Sequence, residues 1–362
     1  MLNVTALAQR WRCRLRGSIT ANQFVSEVVG HALLARARFG RRSPAAGLRD
    51  LVVAARRTMN ASARGRIHRE LKPYLTGPST QIWRDEQIGW ARVQAAFGEN
   101  GRRRALTTSL LLKAPGPNGE KGILYSSFEY NWLKLVKNHD ARAVLKEYHL
   151  VGATSWSPPD YAVFGNFAGL SDDPIFMGIS HATDIDAYRV MRPVIEPVPL
   201  MACDWTNPDF YSPKPQNERT IDILMVANWL PFKRHWLLFQ ALRRMRRDLR
   251  VVLVGFAAPG RTEDDVRAEA RAFGVRQEIE LLSKRNIDQV SALQCDARLS
   301  IVCSRREGSC VAPAESLFAD TPIALMEDAH IGVTAHVNAQ TGMLLAPARM
   351  GYQIAEMLEE RE

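Results

Sequence analysis

Beyond residue 220 the chain alternates short apolar runs with stretches whose apolar positions recur at helical spacing. Ile221–Ala227, Val251–Gly255, Ile279–Leu282, Leu299–Cys303 and Pro322–Met326 read as buried strands. Trp236–Arg246, Glu263–Phe273, Asp288–Gln294 and Pro313–Phe318 read as the helices between them, and Pro322–Met326 closes the series. Near-continuous apolar strands separated by helices predict a parallel sheet covered on both faces, a Rossmann-like domain. Upstream the alternation is looser. Leu110–Ala114, Ile123–Ser127, His149–Thr154, Ile175–Ser180 and Val194–Met201 are strand candidates with helical material between most of them, which predicts a further α/β layer. Residues 1–104 are helical and irregular: Phe24, Val25, Val28, Val29, Ala32 and Leu33 recur at helical spacing, and further patches surround Leu48–Arg57 and Gln81–Phe97. The polar, proline-bearing Ser212-Pro213-Lys214-Pro215-Gln216-Asn217 suits a linker, so the expected division is 1–104, 105–215 and 216–362.

Composition narrows the class. With 362 residues, 46% hydrophobic and 24% charged, the chain suits two globular domains plus an appendage. Ile19–Phe39, the best candidate for a membrane span, is broken by Glu27, His31, Arg36 and Arg38. Leu2–Ala8 is too short and polar for a secretory signal. The five cysteines, Cys13, Cys203, Cys295, Cys303 and Cys310, form no C-x-x-C pair and no zinc spacing, so a reducing, cytoplasmic setting is expected. The net charge of +10 is local: residues 1–104 hold 20 Lys and Arg against 6 Asp and Glu. Three readings compete for that excess. A peripheral role on the inner face of a membrane would use Arg10, Trp11, Arg12, Arg14 and Leu15. Nucleic-acid binding has no recognisable module behind it and is not expected. Codon-biased surface charge is the bland reading, and it carries the most weight because Arg outnumbers Lys 39 to 9.

Chemistry is expected past the carboxyl ends of the strands, where helix N-termini offer free N–H groups. Two stretches qualify. Asn228-Trp229-Leu230-Pro231-Phe232-Lys233-Arg234 follows the strand Ile221–Ala227, and its Lys233 and Arg234 are cations for a diphosphate. Ser304-Arg305-Arg306-Glu307-Gly308-Ser309-Cys310-Val311 follows Leu299–Cys303 and leads to Pro313, which suits the first turn of a helix. The amides of Ser309, Cys310 and Val311 would then hold a phosphate, with Glu307 and Glu315 flanking it to accept bonds from sugar hydroxyls. The bland reading of those two acids is a solvated loop and a dipole-stabilised helix start.

The order of these features resembles the retaining GT-B glycosyltransferases of group 1. Their pattern S-x-R-E-G, six residues, E-A/S-L and a later proline is met by Ser304, Arg306, Glu307, Gly308, Glu315, Ser316, Leu317 and Pro322. Val252-Leu253-Val254-Gly255, Thr341-Gly342-Met343-Leu344-Leu345 and the segment Pro199–Tyr211 fit flanking features. The resemblance implies a GT-B fold, two Rossmann-like domains facing a cleft, with a basic, mostly helical N-terminal region. It implies that Glu315 binds the nucleotide ribose, that Glu307 sits by the anomeric carbon, and that Lys233 contacts the diphosphate beside Gly308, Ser309, Cys310 and Val311. The family usually carries Arg where this chain has Asn228, so Arg234 or Arg306 would supply that charge. It implies a nucleotide-sugar donor, a saccharide or lipid-linked acceptor in polysaccharide or envelope glycan synthesis, transfer of a hexose-type sugar with retention, and no required metal or cofactor. A non-catalytic scaffold of the same fold and a nucleotide-sugar epimerase are the alternatives. Asp184-Ile185-Asp186 spells the D-x-D of metal-dependent glycosyltransferases, but it reads as a helix-start turn. His181 and Trp156 are candidates for the acceptor side, with packing as the weightier reading, and Arg243-Arg244-Met245-Arg246-Arg247 reads as a solvated helix end.

Overall fold

The computed structural model describes residues 5–11, 23–90, 109–154, 156, 159–257 and 260–359. The chain divides into two compact units, residues 23–201 and residues 202–362 together with 1–22. Both are α/β, and the fold is of GT-B type, with Rossmann-like units built on parallel strands. No helix among the described residues is long and apolar enough to cross a membrane.

The first unit opens with helices α1 (Gln23–Phe39), α2 (Pro44–Arg57), α3 (Ala61–Thr76) and α4 (Gln81–Asp85). Ser43 and Asn60 cap α2 and α3 by accepting the amides of Ala46 and Ala63, and Pro44 stands at the first position of α2. The sheet follows: β1 (Ser109–Lys113), β2 (Gly122–Ser126), β3 (Tyr148–Ala153), β4 (Ile175–Gly178) and β5 (Ile195–Val198), with α5 (Tyr130–Asn138), α6 (Ala141–Glu147), α7 (Tyr161–Phe164) and α8 (Ile185–Val190) between them. The strands lie in chain order; β1 is antiparallel to β2 and the rest are parallel. The helices before the sheet do not form a core of their own. Leu48, Ile67, Leu71 and Trp83 share one buried cluster with Trp132, Leu150 and Ile175. Of the helical patch read at Gln81–Phe97, α4 covers Gln81–Asp85 and Trp90 is helical again, while residues 91–108 lie outside the described set.

The second unit matches the sequence reading closely. Its strands are β6 (Ile223–Val226), β7 (Val251–Gly255), β8 (Ile279–Ser283), β9 (Ser300–Val302), β10 (Ile323–Met326) and β11 (Gly342–Leu345). Its helices are α9 (His235–Leu242), α10 (Glu263–Phe273), α11 (Ile287–Cys295), α12 (Val311–Phe318) and α13 (Met350–Glu359). The sheet is wholly parallel in the order β11-β10-β9-β6-β7-β8. The series therefore does not close at Pro322–Met326; β11 adds a further parallel strand beside β10. Gly342 opens β11 because a Cβ there would meet Ile323 O at 1.9 Å, which explains the glycine before the apolar pair. Ile223, Met225, Val251 and Leu253 are fully buried, each side chain contributing about 1.5–3 kcal/mol. Thr262 and Asp265 form a capping box at the start of α10, as Asn286 and Gln289 do at α11. Both boxes were hidden in plain polar residues.

Just after the linker, Arg219 is buried and ties the chain to the sheet. Its guanidinium donates to Ala297 O at 2.8 Å, Thr321 Oγ1 at 2.6 Å, Ala319 O at 3.2 Å and Lys214 O at 2.9 Å. Of the basic set read near the N-terminus, Arg12, Arg14 and Leu15 lie outside the described residues. Arg10 donates to Ala272 O, and Trp11 is exposed.

Candidate functional site

The strand order of the second unit reverses at β6. From β6 the chain proceeds outward through β7 and β8, then returns to β9 on the other side of β6 and continues outward to β10 and β11. A ligand crevice opens beyond the carboxyl ends of the strands at such a switch point, because the two connecting segments leave in opposite directions. The two stretches singled out in the sequence are the segments that follow β6 and β9.

They meet through an ion pair. Lys233 Nζ lies 2.5 Å from Glu307 Oε1, although the residues are 74 positions apart, and both side chains are mostly buried. Burial alone would lower the lysine, but the neighbouring Cys310 sulfur and the Glu307 carboxylate outweigh it and raise the ammonium above its ordinary range. Burial also pushes the Cys310 thiol up, well above the usual thiol range, so the sulfur is uncharged near neutrality and Glu307 is the operative partner. Phe232 presents its ring 5.1 Å from the same ammonium.

Backbone pairing holds Glu307 in place. His330 N donates to Arg305 O at 2.7 Å and Glu307 N to His330 O at 3.3 Å, stitching the loop after β9 to the loop after β10. Gly332 N to Gly308 O, at 3.5 Å, extends the seam. Cys310 follows in the left-handed region at φ 51°, turning the chain into α12. The helix begins at Val311 rather than at Pro313, which falls in its third position, so the free amides of the first turn are those of Val311 and Ala312. Glu315 lies one turn further in. Gln294 Nε2 of α11 lies 3.3 Å from Glu315 Oε2, but burial outweighs that bond and holds the carboxyl above its ordinary value.

Arg234 also has positive φ, 53°, at the start of α9. Its guanidinium grips Asp328 with two bonds of 2.8 Å and Cys303 O at 2.5 Å, and it is buried. Its charge is thus turned to Asp328, joining the ends of β6, β9 and β10. Asn228 closes its own turn by accepting Leu230 N at 3.2 Å, and Arg306 is half-buried, its backbone bridged to His330. Asp328 and Gln294 went unread in the sequence; each is one polar residue in a mixed stretch, with no spacing to mark it.

In the first unit the D-x-D pair does not converge. Asp184 is fully buried and faces Arg64 Nη1 at 3.3 Å, whereas Asp186 is exposed and pairs with Arg189 at 3.2 Å. His181 serves the local turn, accepting Thr183 N at 3.3 Å. Trp156 is half-buried.

Comparison with known proteins bears mainly on the second unit. Residues 209–362 match the family model described as glycosyl transferases group 1. That match lies within the second unit and covers 154 of the 362 residues. No curated protein matches the chain. Sucrose-phosphate synthase from Thermosynechococcus elongatus is 14% identical with a TM-score of 0.50, covering 66% of this chain and 65% of its own. A variant of TarM from S. aureus, solved with fondaparinux, alpha-GlcNAc-glycerol and UDP, is 13% identical with a TM-score of 0.50, covering 66% of this chain and 48% of its own. The chain thus spans about half to two thirds of the length of these structures.

Proposed function

We propose that the chain transfers a sugar from a nucleoside-diphosphate sugar to a hydroxyl of a saccharide or lipid-linked acceptor, with retention and without a metal. The observation that carries the reading is the meeting of Lys233 and Glu307 at the switch point of the second sheet. A buried ammonium beside an uncapped helix start is suited to a diphosphate, because both present positive charge in a place where water screens poorly. The amides of Val311 and Ala312 would face the phosphates, Glu315 the ribose hydroxyls and Glu307 the sugar.

In the transfer step the bond from the anomeric carbon to the phosphate oxygen breaks, its electron pair remaining on the diphosphate. Lys233 and the start of α12 stabilise that charge as it develops. The acceptor oxygen bonds the same face of the anomeric carbon, and its proton passes to a phosphate oxygen of the leaving group. The Glu307 carboxylate lies where the positive character of the sugar ring develops.

The test is calorimetric titration with UDP, GDP and ADP. One of them binds the native protein, and Lys233→Ala and Glu315→Ala each weaken it tenfold or more. Unchanged affinity in both variants, or no binding of any of the three to the native protein, refutes the proposal. The anomeric configuration of a transferred sugar, read by NMR, tests retention.

A further inference from the structure

Helix α1 is built inside out. Its inward face carries Ser26, Gly30 and Leu34, and two of those three are not hydrophobic. Ser26 Oγ donates to Arg57 O at 2.7 Å, and Glu27 accepts the amides of Met59 at 2.5 Å and Asn60 at 3.2 Å. At Gly30 a Cβ would stand 3.2 Å from Thr58 Cβ, so α1 lies close against the end of α2. Leu33 and Ala37 pack on the same core as Leu34, but most of the large apolar side chains point the other way. Phe24 is 75% exposed, Val28 52% and Phe39 78%; Val25 and Val29 are exposed as well.

At about 100° per residue these positions form one continuous stripe. Phe24, Ala35, Val28, Phe39, Ala32, Val25 and Val29 fall within an arc of about 140°, with Arg38 and His31 at one border and Arg36 within the other. The single acid of α1, Glu27, is used inward. Arg41 and Arg42 follow the helix; Arg41 makes no ion pair among the described residues. Arg36 and Arg38 pair with Asp50 and Glu70 while their side chains remain 48% and 42% exposed. An apolar arc bordered by long cationic side chains fits the boundary of a bilayer, where the arc sinks among acyl chains and the guanidiniums stay with the phosphates.

We infer that the outward face of α1 is a docking surface for an anionic phospholipid bilayer. The charge argument selects this occupant: residues 23–90, which include α1, carry 12 Lys and Arg against 5 Asp and Glu, and the exposed arc of α1 itself presents no carboxylate to a basic partner. The inference is independent of the proposed transfer reaction. A membrane-seated enzyme would, however, meet a lipid-linked acceptor at high local concentration.

The experiment is sedimentation of the full chain with vesicles of phosphatidylglycerol and phosphatidylcholine, or of phosphatidylcholine alone. Binding to the anionic vesicles is expected to be at least tenfold tighter and to weaken at 0.5 M salt. Val28→Asp is expected to weaken it tenfold or more. Because Val28 is exposed, the melting temperature stays within about 2 °C, which separates loss of docking from loss of folding. Absence of binding to anionic vesicles overturns the inference, as does equal binding by Val28→Asp. A native dimer that Val28→Asp splits, without vesicle binding, assigns the face to a second copy instead and also overturns it. Nucleotide titration reports separately on the proposed activity, so failure of one reading does not pass for failure of the other.

Discussion

Acidification should destabilise the second unit through His235, and the size of the effect follows from its setting. The imidazole is 1% exposed at the first position of α9, tilted against the Trp229 ring at a centroid distance of 5.5 Å. Neither ring nitrogen has a hydrogen-bond partner among the described residues. Burial, then the charges of Arg261 and Lys233, push its pKa down to about 3 from an ordinary value of 6.5. The unfolded chain therefore binds a proton near pH 6.5 that the folded protein refuses until about pH 3. Stability contributed by the neutral ring is fully present above the ordinary value and falls as pH drops through that window. At pH 5 the loss is about 2 kcal/mol, from 1.36 kcal/mol for each pH unit below the ordinary value. Urea unfolding at pH 7.5 and pH 5.0, for the native protein and for His235→Leu, measures it; comparing the two proteins cancels the other titrating groups. The native protein should lose about 2 kcal/mol more than the variant over that interval. Equal losses would mean that the ring is protonated or hydrated in the folded state, and would refute the reasoning.

Glu315 has the opposite sign. Its raised carboxyl makes the folded state hold a proton longer than the unfolded one, so stability falls as pH rises from the ordinary carboxylate range through the raised value. Glu315→Gln should therefore melt at or above the native temperature at pH 7.5 while losing the nucleotide-induced rise, both read by thermal shift with and without UDP. Arg219→Met strands the carbonyls of Ala297 and Ala319 and the hydroxyl of Thr321 in a dry site, and should cost about 3 kcal/mol in chemical denaturation. Glu307→Gln keeps the shape of the site while removing the partner of Lys233, so nucleotide affinity should hold or rise, whereas transfer, followed by nucleotide release, falls at least a hundredfold.

The second unit was legible because its strands are buried on both faces, so apolar runs such as Val251–Gly255 stand out without any knowledge of their neighbours. Strand order was not legible, since nothing local tells β6 that it will pair with both β7 and β9. Placement of Lys233 and Glu307 depended on that order, and their spacing alone could only suggest it. Arg234 shows the limit from the other side. Its neighbour Lys233 and its own charge both favour a diphosphate role, but a left-handed backbone turns it inward to Asp328. The start of α12 was misplaced by two residues because proline is tolerated throughout the first turn, not at its first position alone. In α1 the helical period was visible but its orientation was not: apolar spacing predicts a buried stripe, and here the stripe is the outer one.

The Lys233–Glu307 contact bears on how the resting protein behaves among the phosphates of a cell. With its cation already neutralised by a carboxylate of its own, the site holds little net attraction for a stray inorganic anion. On the proposed reading, a donor must give back more than it displaces, and a ligand that engages Glu315 and the start of α12 as well as Lys233 is the one that can do so. The internal pair thus sets a threshold, trading some affinity for rejection of fragments that carry the diphosphate without the rest of the molecule.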